Sequence, residues 1–474
     1  MNSTSYTILF LEIFFGCFSI GYVVVYCILG VKSFREIKKY YNHAEFLNKD
    51  ILIKSNNSRG VSVVAPAYNE GMTIVYNVKS LLSQEYPKFE IIIVNDGSTD
   101  DTMERLIAEF DLVKINFFYQ QKVPSAAIRG HYKSTNPIYS KLLVVDKENA
   151  KSKADGVNAG INSAQYDLYI CADVDCILRK DTIAMLVKPF IESKARVIAA
   201  GGAIRLSNSC EFREGMLYKS HFPKNFFARF QELEYIRAFL YGRMAWSRMN
   251  GLLLVSGALG IFDREIVIEV GGYKKECLGE DMELVTRMRK YMHEKKEDFR
   301  IVYLPESLCW TEGPSDRTIF LRQRVRWARG LIQSINMHRD MMLNPAYGIT
   351  GMVVLPYFLL FEFAVPILEV IGLIVFIVDV MFFGVNYPFL ITISVAVYFF
   401  YAFVTLVSVY MDQLIYKQYS NVKDMFTLIA MVFLEPILYH PINVYASLKG
   451  YYQFFTKKEK KWGEMTRQGF NKTE

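Results

Sequence analysis

Asp173-Val174-Asp175 closes the apolar run Leu168–Ala172, so two carboxylates stand at a strand exit where both can reach one ligand. Carboxylate oxygens suit Mg²⁺ or Mn²⁺, and a diphosphate completes the charge and the oxygen set. A capped turn is the plain alternative. Asp96-Gly97-Ser98-Thr99-Asp100 follows "EIIIVN", a second strand ending in a polar turn, which is a usual ligand position in α/β sheets. Asp96 could accept a base N–H there, or the turn could simply cap a helix. Glu280-Asp281 opens "EDMELVTRMRKY", where Met282, Val285 and Met288 mark a helix face. Acids so placed serve as helix-dipole partners, or as a general base at the mouth of a cleft. Gln323-Arg324-Val325-Arg326-Trp327 lies on another helix, with Trp327, Leu331 and Ile335 on one face. Its arginines can hold phosphates and its indole can stack on a sugar. The same spacing also describes an amphipathic helix on a membrane surface.

These groups need elements that converge. "GVSVVAPAYN", "FEIIIVNDG", "KINFFYQ", "YDLYICADVD", "RVIAAGGAIRL" and "GLLLVSGALGIF" read as strands, and "TIVYNVKSLLSQEY" between the first two has helical spacing. Strand, helix, strand implies an α/β fold with ligand loops at the strand ends. Residues 121–152 hold one probable strand, "KLLVVDKE", and are expected to form an excursion from the sheet, in the manner of a hairpin.

The flanks differ from this middle. Residues 7–30 are almost wholly apolar and long enough to span a bilayer. No basic segment precedes them and no small-residue cleavage site ends them, which argues against a signal peptide. Lys32, Arg35, Lys38 and Lys39 follow, so the positive-inside rule puts the next segment in the cytoplasm. Residues 350–380 are apolar but hold Pro356, Glu362, Pro366 and Glu369, as either one kinked span or an interfacial piece plus a span. Residues 386–411 form a cleaner span, and 425–447 a run broken by Glu435, Pro436, His440 and Pro441. One N-terminal and three C-terminal spans would put the basic tail outside, against the positive-inside rule. Two membrane elements within 350–380, or a re-entrant 425–447 run, would remove the conflict.

Composition excludes other classes. Of 474 residues 52% are hydrophobic and only 22% charged, which excludes a disordered chain. The net charge of +7 sits largely beside apolar runs, at Lys32–Lys39 and Lys457–Lys461, and fits membrane lipids better than nucleic acid. Seven cysteines without repeated metal spacing suggest packing residues in a reducing compartment, Cys171 and Cys176 included.

Taken together the motifs resemble the membrane-bound family 2 glycosyltransferases, which include cellulose, chitin, hyaluronan and poly-N-acetylglucosamine synthases. The resemblance runs over about residues 7–467. It implies a GT-A type nucleotide-sugar-binding domain inserted between transmembrane helices. The parts would be an N-terminal helix (1–31), a cytoplasmic linker (32–58), the GT-A domain (59–311), interface helices (312–348), a transmembrane region (349–448) and a basic, cytoplasmic tail (449–474). By match to "VVAPAYNE" and "IVNDGSTDDT", Tyr68, Glu70 and Asp96 would surround the base. By match to "KADGVNAGI", Lys153 would contact the diphosphate, with Asp173 and Asp175 as the D-x-D pair. "VSGALGIFDRE" implicates Ser256 and Gly257 on the acceptor side, beside Glu280. "GED" stands where many members have T-E-D, a Thr-to-Gly279 change expected to matter little, with Asp281 as the base. "QRVRW" matches Q-x-x-R-W at Gln323, Arg326 and Trp327.

The implied reaction is inverting, metal-dependent transfer from UDP-N-acetylglucosamine or UDP-glucose to a growing polysaccharide. Arg326, aided by Arg324, would help Lys153 and Mg²⁺ or Mn²⁺ at the leaving diphosphate. The setting would be a bacterial plasma membrane with the catalytic domain in the cytoplasm, export coupling and an accessory subunit being further expectations. The alternative is a non-processive enzyme adding one sugar to a lipid-linked or small acceptor.

Overall fold

β-branched runs ending in turn residues build the middle of the chain, and long apolar helices flank it. The computed structural model describes residues 3–43, 49–54, 58–213, 216–382, 387–416, 419 and 421–457. The chain begins with α1 (Ser3–His43) and α2 (Lys49–Lys54), then β1 (Val61–Ala67), α3 (Ile74–Leu82), β2 (Phe89–Asn95), α4 (Thr102–Glu109) and β3 (Leu112–Ile115). β4 (Ile128–Ser134), β5 (Leu142–Lys147), α5 (Lys153–Ser163), β6 (Leu168–Ala172), β7 (Ile177–Leu178), α6 (Thr182–Glu192) and β8 (Arg196–Leu206) follow. Next come the small hairpin β9 (Glu211–Arg213) and β10 (Met216–Lys219), α7 (Phe226–Ile236) and α8 (Met244–Arg248). β11 (Leu259–Asp263), α9 (Arg264–Glu269), α10 (Glu280–Lys295), β12 (Phe299–Thr311) and α11 (Arg317–Met337) complete the α/β unit. The last part holds a short apolar helix α12 (Thr350–Phe363), then α13 (Val365–Phe382), α14 (Tyr387–Ile415), α15 (Val422–Leu438) and α16 (His440–Phe455).

Ten strands form one sheet in the order β3-β4-β5-β2-β1-β6-β11-β8-β12-β7. β1 pairs in parallel with both β2 and β6, so all three strands end at the same edge. The order reverses around β1, and such a switch point opens a crevice for a ligand beyond the strand ends. β11 runs antiparallel to β6 with Leu259 opposite Ala172, so the residues just before β11 reach that same edge. β1, β2 and β6 are buried almost throughout, as parallel strands covered on both faces must be.

Several expectations change. The 121–152 stretch is part of the sheet: β5 pairs in parallel with β2, and β4 and β5 form the hairpin. Polar residues hid β4, because this strand, beside the edge strand β3, is only partly buried. The strand expected over "KINFFYQ" stops at Ile115, and the one over "GLLLVSGALGIF" begins only at Leu259. β12, a long strand beside β8, was not anticipated; Pro305 and Glu306 interrupt its apolar run, and its register shifts there.

Among the described residues three helices are long and apolar enough to cross a membrane, spanning Ile13–Asn42, Val365–Phe382 and Ile391–Ile415. The first runs on through Lys32–Lys39, so helix occupies much of the stretch read as a linker. Residues 350–380 divide into the short α12 and the span α13. α15 and α16 meet at a 47° bend, and both touch the α/β unit. Asp424 lies 3.6 Å from His221, Arg237 donates to Glu435 at 2.8 Å, and Gly450 sits against the α11 backbone at Val325. The two helices meet the length and composition needed for a span only when taken together. Near the end of α14, Asp412 meets Arg205 of β8. The basic run and tail beyond Lys457 lie outside the described residues.

Candidate functional site

Parallel strand ends bring the predicted residues to one place. Tyr68, Glu70, Asp96, Lys153, Asp173, Asp175, Ser256, Gly257, Glu280, Asp281, Gln323, Arg326 and Trp327 all line a single cavity of about 1500 Å³. The β1 and β2 exits are laced together. Asn69 N–H donates to Ser98 Oγ at 3.0 Å, Glu70 N–H to Thr102 Oγ1 at 2.9 Å, and Gly71 N–H to Asp100 Oδ2 at 3.0 Å. Thr99 N–H returns to Asn69 Oδ1 at 2.8 Å. Asp100 thus stitches the loops, and the Tyr68 ring stands half in solvent beside Asp96. Asp96 is buried, and burial raises its pKa although Lys147 opposes the shift. Lys147 was not foreseen. Its ammonium is fully buried, bonds Asp96, and lies 2.8 Å from Asp155. A lysine ending the buried strand "KLLVVDK" was the available signal, since such a charge needs a paired acid.

Lys153 opens α5 and reaches across the β6 exit. Its ammonium pairs with Asp173 and donates to the Gly257 carbonyl at 2.7 Å. Burial works against that charge, but Asp173, Cys171 and Glu280 outweigh it and raise the pKa. Ligand atoms of Asp173, Asp175 and Cys176 lie within 4.8 Å of one another, close enough for one cation. The two carboxylates are the hard donors that Mg²⁺ or Mn²⁺ takes. Cys176 is buried, and its pKa is pushed well up by its hydrogen bond with Cys309 and by burial, which suits the packing role expected of it.

Glu280 and Asp281 occupy the first turn of α10. Gly257 N–H donates to Asp281 Oδ2 at 3.0 Å and Met282 N–H to Oδ1 at 2.8 Å, so the carboxylate is fixed at the acceptor loop. Glu280 is buried, and burial followed by the Asp281 charge pushes its pKa up to about 7. Glu283, one turn on, is held by Arg287 at 2.7 Å and His338 at 3.3 Å. Burial raises its pKa, but these partners outweigh it and bring it to about 2.

Gly279 lies close against α11. A Cβ on Gly279 would stand 3.0 Å from the Gly330 backbone, and one on Gly330 would meet Gly279 N at 2.7 Å. The start of α10 touches the backbone of α11 directly, so a side chain at either glycine requires the two helices to give. Arg324 departs from expectation. It turns from the phosphate region to Glu234 at 2.6 Å and Tyr439 at 3.1 Å. Trp327 is 38% exposed and faces the cavity.

The cavity continues past Trp327 between the apolar helices, where Tyr22, Phe361, Tyr401, His440 and Tyr451 line it. His440, Asn443, Ser447 and Tyr451 recur along one face of α16 and form a polar stripe on that wall.

Comparisons with known proteins agree with this architecture. The sequence model of Glycosyl transferase family 2 matches residues 62–252, and that of Glycosyl transferase family group 2 matches residues 217–411. A poly-beta-1,6-N-acetyl-D-glucosamine synthase of Staphylococcus epidermidis is 25% identical over 311 residues, 65% of this chain and 63% of that protein. The Staphylococcus aureus protein of that name is also 25% identical, over 312 residues with the same coverage. The chain thus spans less than two thirds of the length of these curated relatives. Among solved structures, a mannosyltransferase from Pyrobaculum calidifontis is 16% identical, covering 92% of this chain and 99% of its own, at a TM-score of 0.49.

Proposed function

We propose that this chain, a family 2 glycosyltransferase with a GT-A type fold, transfers a sugar from a UDP-sugar to the end of a growing polysaccharide and passes the product into the membrane. The observation that carries this reading is the continuous cavity. It runs from the strand ends past Trp327 into the helix bundle. A one-sugar transfer needs only the first half of it.

In this reading Tyr68 stacks on the base, Asp96 accepts its one N–H, and Glu70 lies beside it. The Asp96 carboxylate can do so because the buried Lys147 fixes it. Lys153 and Arg326 meet the leaving diphosphate. Asp173 and Asp175 would hold Mg²⁺ or Mn²⁺, which supplies positive charge against the negative charge that develops there. Asp281 takes the proton from the acceptor hydroxyl as that oxygen attacks the anomeric carbon. Single displacement inverts the centre. Ser256, Gly257, Glu280 and Gln323 surround the acceptor, and its terminal sugar lies over Trp327.

The similarity to the staphylococcal poly-beta-1,6-N-acetyl-D-glucosamine synthases favours N-acetylglucosamine over glucose as the sugar. The basic stretch after the first span favours a plasma membrane with the α/β unit in the cytoplasm. An accessory subunit and membrane lipids would complete the assembly. The test is a radiolabelled donor screen on purified protein, with Mg²⁺ and Mn²⁺ in turn and the product sized by mass. Long β-linked chains from UDP-N-acetylglucosamine are expected; products bearing one added sugar would sink the polymer reading.

A further inference from the structure

Arg324 lies outside the sequence pattern that the Q-x-x-R-W element requires, yet it is held from several sides. Its Nη1 donates to Glu234 Oε1 at 2.6 Å and its Nη2 to Tyr439 Oη at 3.1 Å. Tyr439 Oη in turn donates to Glu234 Oε2 at 2.6 Å, which closes a three-membered ring of contacts. The guanidinium plane is also packed between two aromatic rings. Its carbon lies 4.3 Å from the Trp327 centroid and 4.9 Å from that of Phe320. One side of the indole therefore rests on a fixed cation, while the side chain lines the cavity.

Each corner of the ring belongs to a different element. Glu234 is on α7, Arg324 and Trp327 are on α11, and Tyr439 sits at the 47° bend where α15 meets α16. Phe230 stacks on Tyr439 at 5.2 Å and Phe320 approaches it at 5.5 Å, so the tyrosine has little freedom of its own. A shift of the bend must move the hydroxyl, the hydroxyl moves the guanidinium, and the guanidinium is the support of the indole.

We propose that Glu234 and Tyr439 are positioning residues for the acceptor platform: they hold Arg324 beneath Trp327, and so tie the orientation of the indole to the α15–α16 bend that walls the membrane half of the cavity. The proposal rests on the reading of Trp327 as the acceptor-binding surface. A planar, forked cation is required, because a lysine could neither fill both contacts nor stack between two rings. The ligand class served is a neutral saccharide, whose C–H face lies on the indole. Removing the support loosens the acceptor while leaving the donor pocket as it was.

The test observes Trp327 itself. The chain has four tryptophans, so the Trp327 share of the emission is the difference between each protein and the same protein carrying Trp327→Phe. Full-length protein in detergent is assayed with UDP-N-acetylglucosamine and a short β-1,6-linked N-acetylglucosamine oligomer. Glu234→Gln and Arg324→Lys should each change that emission difference, raise the acceptor KM about tenfold and shorten the product, with the donor KM within about twofold. Tyr439→Phe, which spares the Glu234–Arg324 pair, should do the same to a smaller degree, and it carries the measurement if Glu234→Gln folds poorly. In a Trp327→Phe background Glu234→Gln should add nothing to the acceptor KM. An unchanged emission difference overturns the proposal, as does a Glu234→Gln effect that persists in full without the indole. If Trp327→Phe raises the acceptor KM and Glu234→Gln does not, the proposal alone fails. If Trp327→Phe leaves acceptor KM and product length untouched, the acceptor reading has failed first and the proposal falls with it.

Discussion

At the sheet end of the cavity, acids outnumber bases: Glu70, Asp96, Asp100, Asp173, Asp175, Glu280, Asp281 and Glu312 line it with Lys151, Lys153 and Arg326. At the helix end the ionic groups close on one another. Glu435 grips Arg237 through two contacts of 2.8 Å, with Thr405 at 2.9 Å and the Tyr401 ring at 4.8 Å completing the shell. Arg205 is held between Glu232 and Asp412, and Arg324 by Glu234. Buried charge without a partner is costly, so an excess of one sign is kept where a ligand brings the other. The sheet end thus suits a cation and a diphosphate. The helix end, where Arg237 is paired with Glu435 and tyrosines face the cavity, suits an uncharged polymer that must move.

If that contrast is right, changes at the two ends should fail differently. The largest loss is expected from Asp281→Asn. It keeps the volume and the Gly257 contact but removes the base, and turnover should fall about a thousandfold, within the span that general-base catalysis supplies. Donor affinity by calorimetry should stay within about twofold, since Asp281 meets the acceptor. Retained turnover would move the base to another residue and erase the chemical distinction between the ends.

At the helix end Glu435→Gln should do the opposite. It leaves Arg237 charged and buried, a type of change that costs about 3–5 kcal/mol. The expected result is a marked fall in the melting temperature of the detergent-solubilised protein, with donor hydrolysis per folded molecule little altered. A variant that melts normally but loses donor hydrolysis would mean that this end takes part in the chemistry.

The same contrast explains what could be read from the sequence. Asp96, Asp173, Asp175 and Asp281 sit at ends of strongly patterned elements and Trp327 on the face of one, so type and spacing alone brought them forward. Lys147, Glu234 and Tyr439 act through partners 51, 90 and 115 positions away in the chain, and no local pattern encodes such pairing. β1, β2, β6 and β8 were legible because parallel strands buried on both faces are continuous apolar runs. β4 and β12 were not, because partial exposure in the first and a proline in the second interrupt the pattern. The close approach at Gly279 was hidden for a related reason: it is set by Gly330, a residue of another helix.

Gly279→Thr is the next test in size. Three added heavy atoms must fit where a Cβ already meets backbone at 3.0 Å, and overpacking of that kind costs about 1–3 kcal/mol. Because Asp281 follows two residues later, turnover should drop together with stability, which Glu435→Gln does not do. Gly279→Ala should show about half the effect. Normal stability and activity in both would show that α10 and α11 can part without disturbing the base.

The smallest effect separates two acids within the sheet end. Glu280 has its pKa raised from 4.5 to about 7 by burial and by Asp281, against the pull of Lys153 and Arg326. The folded protein therefore binds the proton more tightly than the unfolded chain does. The resulting stabilisation is present in full below the unfolded value and is lost as pH rises through about 7. Glu283 has its pKa lowered to about 2, so its contribution is present above 4.5 and is lost only as pH falls toward 2. Between about pH 5 and 7.5 Glu280 should tilt the stability curve downward, in the same direction as the raised Asp96, and Glu280→Gln should reduce that slope while Glu283→Gln lowers the curve at every point without changing its slope. Turnover should gain a limb near pH 7 that Glu280→Gln removes, a change of less than about tenfold because Asp281 still provides the base. A slope that survives in full in Glu280→Gln would assign the titration to another group at the strand ends, and the excess of acid there would then be shared more evenly than the burial of Glu280 implies.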